Sequence, residues 1–254
     1  MTNNIYWERQ RGNNCRIHSL NAFFGNAKIS ENEFQKLCKE YDSIISGLDS
    51  IKMDGFAECR SIISYIVDKF TRKYCHLVPI NFRGVHKENR QTWNYERFID
   101  FFGKEGGINS YFEFNKDHVW INKRIQNEWY KIDSLSGITH INKLKRFGEN
   151  GYILVFDNNL NFLEIEFLIK LLKEKYDNDL NFDYEIIFYN LYHLLKYIKF
   201  EYDVNDSEYN LKISNIKSLF KIIYNFVTEN RKPRINKNLI NKIINQIKSI
   251  IISF

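Results

Sequence analysis

The chain has 254 residues, 44% hydrophobic and 16% aromatic, enough for one large domain or two small ones around a substantial core, which excludes a mainly disordered protein. Its formal charge of +6 is dispersed among acids rather than gathered into a run. With no zinc-finger spacing and no aromatic-basic motif, that charge reads as a solvated surface and not as a nucleic-acid footprint.

In chain order, residues 15 to 24 are predicted to form a helix, capped by Asn13 or Asn14, with Ile17, Leu20, Phe23 and Phe24 at helical spacing and Gly25 as its stop. SENEFQKLCKEYD is a second helix: Ser30 with Glu33 three residues on is a capping box, and Phe34, Leu37, Cys38 and Tyr41 form its inner stripe. A third runs from about Ala57 to Phe70. Five short segments follow, KYCHLVPI, SYFEF, HVWINKR, WYKIDS and GYILVF, rich in β-branched and aromatic residues and separated by polar turns. They predict an antiparallel meander, so residues 1–157 read as an α+β domain with helices packed on an antiparallel sheet. From residue 158 to 254 the spacing becomes helical, over roughly 160 to 176, 183 to 200, 211 to 228 and 235 to 252, with Pro233 opening the last helix. With only 2 Pro and 11 Gly in the whole chain, little punctuates this C-terminal all-helical region, whose role is not readable but which could engage a protein partner.

The four cysteines, Cys15, Cys38, Cys59 and Cys75, lie far apart, with no CxxC pair and no cysteine-histidine cluster at ligand spacing, which argues against structural zinc. The polar start MTNNIYWERQ lacks the apolar core of a signal peptide, and a reducing compartment is expected. The apolar stretch IKSIIISF is too short to span a bilayer, so no membrane span is expected.

Cys15 stands out by position. At the first turn of a helix it feels the partial positive charge of unpaired N–H groups, which favours the thiolate, and the turn around Gly12 should leave it accessible. A thiol nucleophile needs a base, a group that orients the base, and donors for the oxyanion. His118 opens HVWINKR and Asp133 lies in WYKIDS. If a hairpin with an even loop joins these strands, alternation puts both side chains on one face, directly opposed or diagonal, with Val119, Ile121, Tyr130 and Ile132 on the other. Trp120 and Trp129 then share the face of His118, where shielding the imidazole, touching a substrate tail and plain packing all remain open. Gln10, five residues before Cys15, offers a side-chain amide to the oxyanion, and the Cys15 backbone N–H a second donor. His18 is a rival base, one helical turn from Cys15. Cys38, Cys59 and Cys75 read as buried thiols, and His76, His86, His140 and His193 as surface or structural residues.

The pattern Q-x(4)-C-x(2)-H-x-L-N, here Gln10, Cys15, His18, Leu20 and Asn21, with a histidine opening a strand and an Asn or Asp fifteen positions later, resembles the Josephin domain of ataxin-type deubiquitinases over about residues 5 to 157. The resemblance implies a papain-like fold and a thiol-dependent isopeptidase acting on ubiquitin, polyubiquitin or a ubiquitin-like protein. In it Cys15 is the nucleophile, His118 the base, Asp133 the orienting residue and Gln10 the oxyanion stabiliser. It implies no metal and no organic cofactor, and action in a eukaryotic cytosol or nucleus, including that of a host cell entered by an effector. The stretch from Tyr41 to Ala57 is shorter than the helical arm of longer relatives, and the C-terminal region lacks the pattern of ubiquitin-interacting motifs. Two other readings fit the same residues: a ubiquitin-binding adaptor with little hydrolysis, and a related thiol acyl-transfer enzyme.

Overall fold

The computed structural model describes residues 5–44, 61–78, 108–115, 117–142 and 151–156, together with Asn190, His193 and Leu194. Three helices, α1 (Cys15–Phe24), α2 (Glu31–Ile44) and α3 (Ser61–Thr71), precede six strands. The strands are β1 (Cys75–Val78), β2 (Ile108–Phe114), β3 (Val119–Ile125), β4 (Glu128–Asp133), β5 (Gly137–Ile141) and β6 (Gly151–Phe156). The architecture is α+β, as the sequence predicts. The start predicted for the third helix, and nearly all of the C-terminal helical region, lie outside the described residues.

Local chemistry accounts for the helix ends. Gly25 takes a left-handed conformation with φ of 78° and donates its N–H to the Asn21 carbonyl at 2.8 Å, which closes α1. Ser30 Oγ accepts the Glu33 N–H at 3.2 Å and so caps α2, as the motif requires. The Glu40 carboxylate receives Tyr65 Oη and Lys69 Nζ of α3, and Tyr41 stacks on Tyr65 at 5.0 Å, which ties α2 to α3.

All neighbouring strands pair antiparallel, in the order β1-β6-β2-β3-β4-β5. The sheet is thus not a simple meander: β6 returns to lie between β1 and β2. Its sequence explains this, because GYILVF is buried at every position and an unbroken apolar run is satisfied only with neighbours on both edges and cover on both faces. The sequence reading also lacks β5, GITHI, whose residues are half-buried or exposed and which pairs only with β4. An edge strand with no alternating apolar pattern leaves little periodic signal.

One face of the sheet is a continuous apolar row, in which register places Leu77, Ile153, Phe112, Ile121 and Ile132 side by side across five strands, all buried. Helix α1 lies on this face mainly over β3, with Phe23 against Phe112 at 5.7 Å. At the far end of β2, Gly151 pairs with Phe114, whose ring lies so close that a Cβ on residue 151 would fall 1.9 Å from Cε2. The opposite face carries Tyr111, Trp120 and Trp129, also buried, with Trp120 Nε1 and Asn122 Nδ2 both donating to Glu113 Oε2 at 3.1 Å. At the edge of β1 away from β6, the Asn190 side chain accepts the Leu77 N–H and donates to the Leu77 carbonyl, both at 2.9 Å.

Candidate active site

The hairpin that joins β3 to β4 has a two-residue loop, Gln126 and Asn127, with φ of 50° and 68°. Two positive φ values in a two-residue loop define the turn whose twist matches flanking strands, and the even count keeps the side-chain parity. Ile121 faces Ile132, so Trp120 comes opposite Asp133, and His118, two residues earlier, lies on the diagonal. That diagonal is closed by a hydrogen bond between His118 Nε2 and Asp133 Oδ1 of 2.8 Å. Val119, Ile121 and Ile132 are buried on the other face as predicted, with Tyr130 half-buried beside them.

The first residue of β3 grips α1 twice. Ser19 Oγ donates to the Val119 carbonyl at 2.9 Å, and the Val119 N–H bonds the Cys15 sulfur, one helical turn earlier. This clasp brings Cys15 against His118, which hydrogen-bonds the thiol. Because His118 Nε2 is committed to Asp133, Nδ1 is the nitrogen that serves the sulfur. Backbone contacts steady the imidazole from behind: Asn115 Oδ1 accepts the N–H of His118 at 2.7 Å and of Asp117 at 2.9 Å, and the Asn115 N–H donates to the His118 carbonyl.

The electrostatics follow from these contacts. Burial alone would push the Cys15 thiol up, but the hydrogen bonds from His118 and the Val119 N–H, with the charges of His118 and Arg16, outweigh it and lower its pKa. No side chain caps α1 and no acid sits in its first turn, so the helix terminus adds in the same direction. Burial disfavours the imidazolium, yet the Asp133 and Cys15 contacts prevail and raise His118 from 6.5 to about 9. Asp133 is held well below the usual carboxylate range: burial is overcome by His118, by Lys131 Nζ at 2.9 Å, by the Leu135 N–H and by Ser136 Oγ, each also at 2.9 Å. The set favours a thiolate beside an imidazolium.

One expectation is corrected. The Gly12 turn does not expose Cys15, which is only 3% accessible, because α1 packs its first turn onto the start of β3. His18 is not the thiol's base: its Nδ1 lies 2.9 Å from Glu8 Oε1, and its Nε2 accepts the Arg11 N–H at 3.4 Å. Gln10 is tied to the residue that follows β4, its backbone N–H donating to the Ser134 carbonyl at 2.9 Å. Trp7 Nε1 donates to the Asp133 carbonyl at 2.8 Å, so the segment before α1 is tied to the strand end that carries Asp133. Trp120 stands 5.8 Å from the His118 ring and carries Lys131 Nζ 4.2 Å from its own ring centroid, whereas Trp129 packs on Tyr111 at 5.5 Å.

Cys38 and Cys75 are buried thiols, and burial drives Cys75 well above its ordinary pKa, which makes it inert. His76 is buried against Tyr74 Oη at 3.0 Å, and His140 is exposed beside Glu128; Cys59 and His86 lie outside the described residues. Among the described residues, no group of three His, Cys, Asp or Glu is disposed to hold a metal ion, and no helix is long and apolar enough to cross a membrane. Sequence reasoning missed Asn115, Lys131, Ser134 and Ser136; the clustering of the polar Asp133, Ser134 and Ser136 was a signal that the end of β4 supplies more than one functional group.

In comparison with known proteins, no protein-family model and no curated protein matches the chain.

Proposed function

We propose that the chain is a cysteine isopeptidase of the Josephin type, a papain-like deubiquitinase that cleaves the bond between the ubiquitin C-terminal glycine and a lysine. The observation that carries this reading is the alignment of three groups: Cys15 beside the His118 imidazole that lowers its pKa, and His118 hydrogen-bonded to Asp133. The choice of ubiquitin rests on the motif resemblance, and with it a place of action in a eukaryotic cytosol or nucleus.

The Cys15 thiolate attacks the glycine carbonyl, and its oxygen becomes an oxyanion held by the Gln10 amide and the Cys15 N–H. As the C–N bond breaks, the His118 imidazolium gives its proton to the departing lysine amine, leaving a thioester and neutral imidazole. That imidazole takes a proton from water, whose oxygen attacks the thioester; collapse of the second oxyanion releases the ubiquitin carboxylate and restores the thiolate–imidazolium pair. Asp133 keeps the ring oriented throughout and stabilises its charged form.

Ubiquitin carrying a carbon electrophile at its C-terminus tests the nucleophile. Labelling of the wild-type chain that vanishes in Cys15→Ala is the expected result; labelling that survives the substitution rejects it. The burial of Cys15 favours one second reading, an adaptor that binds ubiquitin and hydrolyses it little. Measurable ubiquitin affinity without cleavage of any chain type would decide for the adaptor.

A further inference from the structure

Gln10 has a side-chain amide whose two ends are chemically opposite, and only one of them can help an oxyanion. Its Nε2 donates to the Gly12 carbonyl at 2.8 Å, and its Oε1 accepts the Ser134 hydroxyl at 2.9 Å. The reverse orientation would set Oε1 against the Gly12 carbonyl, acceptor against acceptor. Ser134 is buried, and its own carbonyl takes the Gln10 backbone N–H at 2.9 Å, so it holds the residue at both backbone and side chain. The preceding residue, Asp133, holds His118.

The geometry points to Ser134 as a positioning residue for the oxyanion amide: its hydroxyl pins the Gln10 oxygen, so that the amide keeps its second N–H for the negative charge that develops on the carbonyl oxygen attacked by Cys15. This rests on the isopeptidase reading. It also makes the end of β4 a common mount, in which adjacent residues fix the base and the oxyanion donor. A donor costs nothing to reorganise at the moment of reaction only if it is already oriented, and a planar amide free to turn over would spend part of its time presenting its oxygen. The Gly12 carbonyl alone still biases the amide, so the loss without Ser134 is partial.

The test compares wild type, Ser134→Ala, Ser134→Thr, Gln10→Ala and the Gln10→Ala/Ser134→Ala double variant as full chains. Two rates are read: turnover of ubiquitin bearing a C-terminal fluorogenic amide, and alkylation of Cys15 by iodoacetamide, a displacement that forms no oxyanion. Ser134→Ala should lose roughly 10-fold in kcat with KM held, against the ~10²–10³-fold that loss of a whole donor costs. Its alkylation rate should stay at the wild-type level, Ser134→Thr should restore turnover, and the double variant should be no slower than Gln10→Ala. Full turnover in Ser134→Ala, additive losses in the double variant, or alkylation falling in step with kcat would each overturn the inference while leaving the isopeptidase reading in place. A wild-type chain that is alkylated at Cys15 but hydrolyses nothing would overturn both.

Discussion

Asp133→Asn probes the charge of the third residue separately from its hydrogen bond. The rise of His118 from 6.5 to about 9 represents about 3 kcal/mol of net preference for the imidazolium, at about 1.4 kcal/mol for each pH unit. Asp133 supports it through both a hydrogen bond and its charge. The asparagine oxygen can keep the bond to His118 Nε2 and the Leu135 N–H, so only the charge is lost; an opposite charge at this range is worth about 1–3 pH units, and the lower end fits a carboxylate already shared with Lys131. In the wild-type chain, kcat/KM for a ubiquitin fluorogenic amide should fall as pH rises through about 9, where the general acid loses its proton. In Asp133→Asn that alkaline limb should sit about one pH unit lower. The new Nδ2 would replace Oδ2, where Ser136 Oγ can accept from it but the Lys131 ammonium can only be displaced. Lys131→Met is therefore the control, and it should move the limb upward, since a competing cation has gone. An alkaline limb unmoved in Asp133→Asn, or shifted to higher pH, would refute the claim that the carboxylate charge keeps His118 protonated.

Two further outcomes concern the scaffold. The Asn21 side chain, buried, donates to Glu8 Oε1 at 2.8 Å and the Ile29 carbonyl at 3.0 Å and accepts the Ile29 N–H at 2.7 Å. Asn21→Ala strands the Ile29 groups and should cost about 2–4 kcal/mol in denaturant unfolding; an unchanged midpoint would mean those groups find other partners. Gly151→Ala should destabilise by about 1–3 kcal/mol because the buried Phe114 ring must give way, and Phe114→Leu in the same chain should recover part of the loss. Simple additivity of the two substitutions would show that the ring is not the obstacle.

The sequence carries the parts of the site that obey local rules. Cys15 at a helix start follows from the Asn14 and Gly25 boundaries, and the shared face of His118 and Asp133 follows from strand alternation once the Gln126–Asn127 turn is counted. What alternation leaves open, opposed or diagonal, is set by register, which depends on where the loop falls. The contacts that finish the site join residues a hundred or more positions apart, as with Ser134 and Gln10 or Ser19 and Val119, and no periodicity encodes them. The insertion of β6 between β1 and β2 is of the same kind: GYILVF announces a buried strand, not its neighbours. The burial of Cys15 was hidden because a glycine turn describes the chain before the helix and not what the helix lies upon.

The carboxamide of Asn190 behaves as a one-residue counterfeit strand, meeting the donor and acceptor of Leu77 as a real ladder partner would. Cutting the chain after residue 157 would strip away that stopper along with the rest of residues 158–254. The raw border of β1 would then invite another molecule to zip onto it, so the shortened chain should self-associate even with Cys15, His118 and Asp133 in place.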